Sequence, residues 1–351
     1  MQQLAKAPAI NTQGLPALPD DLHLEIISHF SFQPVPTKQK HWPETFDVRS
    51  LRDRHLALRS LSQTCRSLRP FYLRYLWQRI EVFDEMETDK GALEFVHQCD
   101  MRRSGNTKMD MLYVEELSRQ LEIVTIRDSS LALHVNILNL TIVADFAETV
   151  LPELGRCIAL LPNLHTVQFD FRLDINEFPE SRNALVSNRY PQIQTACLSA
   201  SAYFFIACCP NLRHVMAHNY FPIRVGLLEI VVQHCPQVEV LAPLFTPDPM
   251  NRMISQLQNL RDVSLDCAYL MDRKTDLEAL SQLPHLHTIR IRVDIDGYMS
   301  FRPRRELHMT SEDVEDCVEW GRRILSGHET GEVHRVIVVY KDRETEINSE
   351  P

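Results

Sequence analysis

From about residue 130 onward the chain keeps returning to one arrangement of apolar positions, an apolar residue followed at offsets of 3 and 5 by two more. It occurs at Val135, Leu138, Leu140; at Leu164, Val167, Phe169; at Ile193, Ala196, Leu198; at Leu212, Val215, Ala217; at Leu260, Val263, Leu265; and at Leu286, Ile289, Ile291, while Val238 and Leu241 begin another copy. The last two places of each copy are two residues apart, which puts them on one side of a short strand. Two residues before the first place stand Pro162, Pro191, Pro210, Pro236 and Pro284, with Leu133 and Gln258 the exceptions. Proline is 20 of 351 residues, so this alignment is not chance and marks an internal repeat. The apolar stretches 151–161 and 227–232 between copies predict helical returns. One such unit cannot bury its own apolar face, so the units stack and their strands form a parallel sheet. Trp77, Ile80 and Val82 keep the same offsets and predict a first strand directly behind the N-terminal part. Between them, residues 91–99 and 112–124 read as helices and 104–108 as a loop. After Ile291 the pattern stops. Thr310 with Asp313 resembles a capping box, Val314, Cys317, Val318, Ile324 and Leu325 form a helical stripe, and 333–340 is a β-branched run. We expect a closing unit over 310–341 and a loose tail over 342–351, because an open end would expose core.

The N-terminal part has a helical period instead. Pro19 suits a helix start, and Asp20 and Asp21 suit its positive end. Leu22, Ile26 and Phe30 then recur every four residues as one apolar stripe. Leu58, Leu61, Cys65 and Leu68 make a second stripe, and Pro70 opens a third helix carrying Phe71, Leu73, Leu76 and Trp77. Between the first two helices, residues 33–53 hold three prolines and read as a surface loop. Three helices this short leave apolar surface uncovered, so part of the stripe is expected to meet another chain. The other reading is that residues 15–77 are only a helical cap on the repeats.

Leu18, Pro19, Leu22 and Ile26, then Leu61, Cys65, Arg66 and Leu68, ending in Leu76 and Trp77, resemble an F-box. The repeats, with Cys209–Leu212 and Cys235–Val238 as CPNL-like stretches, resemble the divergent leucine-rich repeats that follow the F-box in many fungal proteins. The resemblance implies an α/β fold: a three-helix F-box over 15–77 behind a flexible 1–14, then an irregular solenoid over 78–341 with parallel strands on its concave face and helices on its convex face. It also implies a function. The head would bind a Skp-type adaptor, and through it a cullin, by way of Leu18, Pro19, Leu22, Ile26, Leu58, Leu61, Cys65 and Leu68. The repeats would hold a client protein, making the chain a substrate-recognition subunit of an SCF-type (Skp-cullin-F-box) ubiquitin ligase. The alternative is a leucine-rich-repeat interaction scaffold working outside any ligase.

Composition narrows the classes of activity. The net charge is −10, but residues 1–83 hold 11 Lys and Arg against 7 Asp and Glu, so a mildly basic head precedes an acidic body. That balance disfavours nucleic acid as a partner and suits an acidic protein partner for the head. Nine cysteines with no CxxC pair fit a reducing compartment, cytosol or nucleus. The longest apolar run, 202–209, is eight residues, and a membrane span needs roughly twenty.

Phosphate-cradling glycine loops, GxSxG and HExxH are all missing from the sequence, so no catalytic role and no cofactor is expected. Cys208, Cys209, His214 and His218 are the best metal candidates, but they straddle a predicted strand, where histidines four apart do not converge as they do on a helix; no metal is expected. Polar residues alternate with the apolar places and should face the opening of the arc. His214, His218, Asp262, Asp266, Arg290 and Arg292 are therefore the candidate client contacts. The competing reading of the acids beside arginines is ordinary cross-strand pairing of exposed charges.

Overall fold

A computed structural model describes residues 13–30, 48–82, 107–217, 227–242, 253–267, 274–293, 311–326, 334–340 and 343–348. The fold is mixed α/β. Ten strands form one sheet in strict chain order: β1 (Arg79–Val82), β2 (Ile137–Val143), β3 (Thr166–Arg172), β4 (Thr195–Leu198), β5 (His214–Ala217), β6 (Val240–Ala242), β7 (Asp262–Asp266), β8 (Thr288–Arg292), β9 (Arg335–Tyr340) and β10 (Arg343–Asn348). Every neighbouring pair from β1 to β9 is parallel, and β9 with β10 is antiparallel. Helices α1 (Asp20–Ser28), α2 (Val48–Thr64) and α3 (Arg69–Leu76) precede the sheet. The others are α4 (Thr107–Glu122), α5 (Ala147–Ala159), α6 (Pro179–Val186), α7 (Leu227–His234) and α8 (Ser311–Leu325), with 3₁₀ segments at Ser129–His134, Ala200–Cys208 and Lys274–Gln282.

The recurring proline has a specific task. In every copy the first apolar residue closes a turn by donating its N–H to the carbonyl three residues earlier: Leu164 to Leu161, Ile193 to Tyr190, Leu212 to Cys209, Val238 to Cys235, Leu260 to Leu257 and Leu286 to Leu283, all within 3.4 Å. The proline is the second residue of that turn, where its fixed φ fits and no N–H is called for. Both apolar ends of the turn are buried. One residue past each turn, a single carbonyl accepts two N–H groups from the next copy. His165 takes Gln194 and Thr195, Gln194 takes Arg213 and His214, Arg213 takes Glu239 and Val240, Glu239 takes Arg261 and Asp262, and Arg261 takes His287 and Thr288, at 2.8–3.0 Å. The copies are stitched together here, so their spacing along the sheet is constant although the chain between them varies in length. Side-chain amides add further ties: Asn211 Nδ2 donates to the Pro191 carbonyl at 2.8 Å, and Gln237 Nε2 to that of Pro210.

The second and third apolar places of each copy point to one side of the sheet and join a core that runs from Ile27 in α1 to Val336 in β9. Its largest members pack edge to face or offset: Phe169 lies 5.1 Å from Phe205, and Tyr190 5.2 Å from Phe205. The Tyr190 hydroxyl donates to the Leu185 carbonyl at 2.7 Å, which removes its cost of burial. α5 and α6 meet at Gly155, where an added Cβ would lie 3.2 Å from both the Ala184 carbonyl oxygen and the Leu185 Cα.

Three boundaries differ from the sequence reading. Residues 343–348 are not loose: β10 pairs along the whole of β9, with Tyr340 opposite Arg343, and so covers an edge whose N–H and C=O groups would otherwise be bare. Helix α2 begins at Val48, inside the loop expected over 33–53. Val48 and Leu51 keep helical spacing with Leu58, so the period of the second stripe reaches back into the expected loop. Thr107 and Lys108 already belong to α4, not to a loop. The helix expected over 91–99 lies outside the described residues, as do the 1–12 and 31–47 stretches.

Since backbone atoms block Gly155, Gly155→Val should destabilise the fold by about 1–3 kcal/mol through overpacking. Urea denaturation monitored by circular dichroism reads this directly, with Gly155→Ala expected to cost less.

Candidate functional site

Two surfaces qualify, the helical head and the polar side of the sheet. In the head, α1 does not bury the stripe that its sequence suggests. The buried residues are His23 and Ile27, and Leu22 is 45% exposed. His23 Nδ1 lies 2.8 Å from the Tyr72 hydroxyl, and its ring sits 4.9 Å from that of Phe71. The Arg74 guanidinium covers Phe71 and Tyr75 at 4.6 and 4.8 Å, a cation–π contact that closes the aromatic cluster. Burial pushes the Tyr72 hydroxyl above its ordinary pKa. Polar side chains lie where the head runs into β1. Arg54 of α2, buried, donates from Nη2 to the Tyr75 carbonyl at 3.4 Å, and Arg79 of β1 is paired with Glu81 at 2.6 Å. Desolvation lowers the Arg54 pKa, with Glu81 opposing that and Arg79 adding to it.

The eight adaptor candidates divide. Pro19 and Leu22 are exposed, and Leu18, Ile26, Leu61 and Cys65 are half-buried. Leu58 and Leu68 are corrections: both are sealed in the core between α2 and α3 and present nothing to a partner. A helical stripe has two margins, and spacing alone does not say which residues point inward. Leu24, 46% exposed, was not singled out in the sequence. At 100° per residue it stands about 160° around α1 from both Leu22 and Ile26, which are about 40° apart, so it belongs to the opposite flank.

The sheet's polar side is mostly interior. Arg290 and Arg292 are 5% and 2% exposed, so these two client candidates are not surface charges. Arg290 Nε donates to both Asp262 carboxylate oxygens at 3.1–3.2 Å, and its Nη1 donates to Glu344 on β10 at 3.2 Å. The acid beside the arginine is thus a cross-strand pair that serves the fold, and β10, missed in the sequence, supplies its third member. Asp266 stands in register opposite Arg292. His214 is half-buried, 3.3 Å from the Thr195 hydroxyl, and His218 lies outside the described residues. In the middle of this side Cys197, Met216 and Ala242 form a separate buried apolar cluster across β4, β5 and β6. Burial drives the Cys197 thiol up to about 12, with Asp170 adding to it, which removes any nucleophilic character at neutral pH.

Cys208 and Cys209 are buried, and the Cys209 thiol is pushed up by desolvation first and by Cys208 and Cys235 next. Among the described residues no three His, Cys, Asp or Glu side chains converge on a metal position, and no helix is long and apolar enough to cross a membrane. The chain matches no known family description and no curated protein.

Tyr72→Phe would leave the buried His23 nitrogen without its partner and should cost about 1–3 kcal/mol in thermal or urea unfolding. Stability should also fall in mild acid. Burial lowers the His165 and His214 pKa values, with Glu239 opposing and Arg213 reinforcing at His214. The unfolded chain therefore binds these protons more tightly. The stabilisation is complete above the unfolded imidazole value of about 6.5 and is lost as pH drops through the lower folded values. A Tm series from pH 7.5 to 5 should slope less in a His165→Asn/His214→Asn double variant.

Proposed function

We propose that this chain is a substrate receptor of an SCF-type ubiquitin ligase, with an F-box-like head that binds a Skp-type adaptor and a leucine-rich-repeat solenoid that holds a client protein. The observation that carries the reading is the exposure of Leu22 beside exposed Pro19 and half-covered Leu18, Ile26, Leu61 and Cys65, in a head whose Ile27, Leu58, Leu68, Tyr72 and Leu76 already form a sealed core. A head that completes its core and still presents leucine is built to lose that surface to another chain. Strands in chain order, parallel and stitched one carbonyl per copy, support the solenoid.

The mechanism is positional. The continuous core holds the head against the first strand. A client on the repeats is thereby kept at a set distance from whatever the head binds. Raising the effective concentration of a client lysine near a charged ubiquitin carrier accelerates transfer, and no side chain of this chain takes part in the chemistry. The client is not held by Arg290 and Arg292, which are both buried.

Affinity purification of the full chain should recover a Skp-type adaptor together with a cullin. A Leu22→Asp/Leu61→Asp variant should recover at least about tenfold less, the loss expected when a buried anchor is replaced by charge. Leu24→Asp, on the other flank of α1, should recover as much as wild type. Wild type without adaptor, or the double variant with it at full level and an intact Tm, would overturn the reading; adaptor without any cullin would mean a scaffold outside the ligase.

A further inference from the structure

Two cysteines outside both surfaces stand in direct contact. Cys267 directly follows β7, and Cys317 lies in the middle of α8, fifty residues on; both are fully buried, and their Sγ atoms are 3.0 Å apart. Non-bonded heavy atoms ordinarily rest at about 3.5–4.0 Å, and a disulfide is about 2.05 Å, so roughly 1 Å of closure separates this pair from a covalent bond. No disulfide joins them. The other close cysteines differ in kind: the Cys235 thiol donates to the Cys209 carbonyl at 3.4 Å, not to its sulfur.

The position of the pair matters because α8 covers the end of the array. Its inner side carries Cys317, Val318, Trp320, Ile324 and Leu325, all buried. At Gly321 an added Cβ would come within 3.3 Å of Val336 in β9 and 3.6 Å of Ile291 in β8, so the helix lies almost on the strands. One exposed ion pair, Arg323 with Glu278 at 2.6 Å, also ties it down. Such an exposed pair contributes little, and the apolar packing that seats α8 on the strands is reversible.

We propose that Cys267 and Cys317 are a modification site, a dithiol that closes to a disulfide with peroxide or a small disulfide as oxidant and so locks α8 over the last strands. With peroxide, one sulfur gives up its proton and attacks an oxygen, the O–O bond breaks, and a sulfenic acid forms as water leaves. The second sulfur, losing its own proton, then displaces the hydroxyl as a second water. Two thiols and one peroxide thus yield one disulfide and two waters. With glutathione disulfide, exchange through a mixed disulfide gives the same bond and two glutathiones. The cross-link closes the loop from 267 to 317 and restricts every state in which α8 has lifted from the sheet.

The test uses the full chain, reduced with dithiothreitol and then titrated separately with hydrogen peroxide and with glutathione disulfide. Each sample is quenched in denaturant with N-ethylmaleimide, digested and read by mass spectrometry. A linked Cys267–Cys317 peptide should appear at oxidant doses about tenfold below those that modify Cys157, Cys208 or Cys235, because a partner sulfur already in contact captures the intermediate. It should vanish on re-reduction. Oxidised wild type should be cut within 311–326 about tenfold more slowly by a limiting protease, as expected when opening is restricted, and Cys267→Ala and Cys317→Ala should show no such change on oxidation. If either variant fails to fold, the wild-type peptide still decides. Full recovery of both cysteines as maleimide adducts, or their appearance only as glutathione adducts or sulfonic acids, overturns the proposal.

Discussion

A short strand with one apolar side and two rows of backbone polar groups cannot stand by itself, and every feature of this molecule answers that constraint. Each copy offers one carbonyl beyond its turn, and the next copy fills it twice: His165 takes Gln194 and Thr195, and Arg261 takes His287 and Thr288. Buried N–H groups must be paired. That requirement, more than the identity of any core residue, fixes each strand against its predecessor while the returns vary between the helix α5 and the 3₁₀ segment Ala200–Cys208. The array then has two ends to settle. At one end β1 is preceded by the helical head. At the other, β9 is paired by β10, and its apolar side lies under α8.

The same demand explains the head. Its aromatic cluster of His23, Phe71, Tyr72 and Tyr75 satisfies its polar atoms internally or places them at the rim, and its core is continuous with that of the sheet. What is left over is apolar: Leu22 and its half-covered neighbours. The rigid element is the stitched sheet, and the head joins it through the shared core.

The polar side of the sheet shows how charge can mislead. Acids and arginines on neighbouring strands resemble a recognition surface when read as text. In three dimensions Arg290 is enclosed by Asp262 and Glu344, and an arginine that far from water needs its full set of acceptors. Leaving either carboxylate out would cost more than the pair contributes.

The sequence by itself determined the repeat, its strands and their direction. The apolar offsets and the aligned prolines are local, and local geometry demands them: Pro210 sits where its turn needs a fixed φ, and Val215 and Ala217 point one way because a strand alternates. The helices read over 112–124, 151–161 and 314–325 overlap α4, α5 and α8 for the same reason, though not their starts. Only the tertiary structure decided which margin of a stripe turns inward, so that His23 and Ile27 are buried and Leu22 is not, and so that Leu58 and Leu68 are core and not contacts. It also decided that 343–348 is a strand, because an exposed edge recruits whatever chain lies nearest, and that Cys267 meets Cys317. Burial and long-range pairing are properties of what packs against a residue, and no spacing along the chain encodes them.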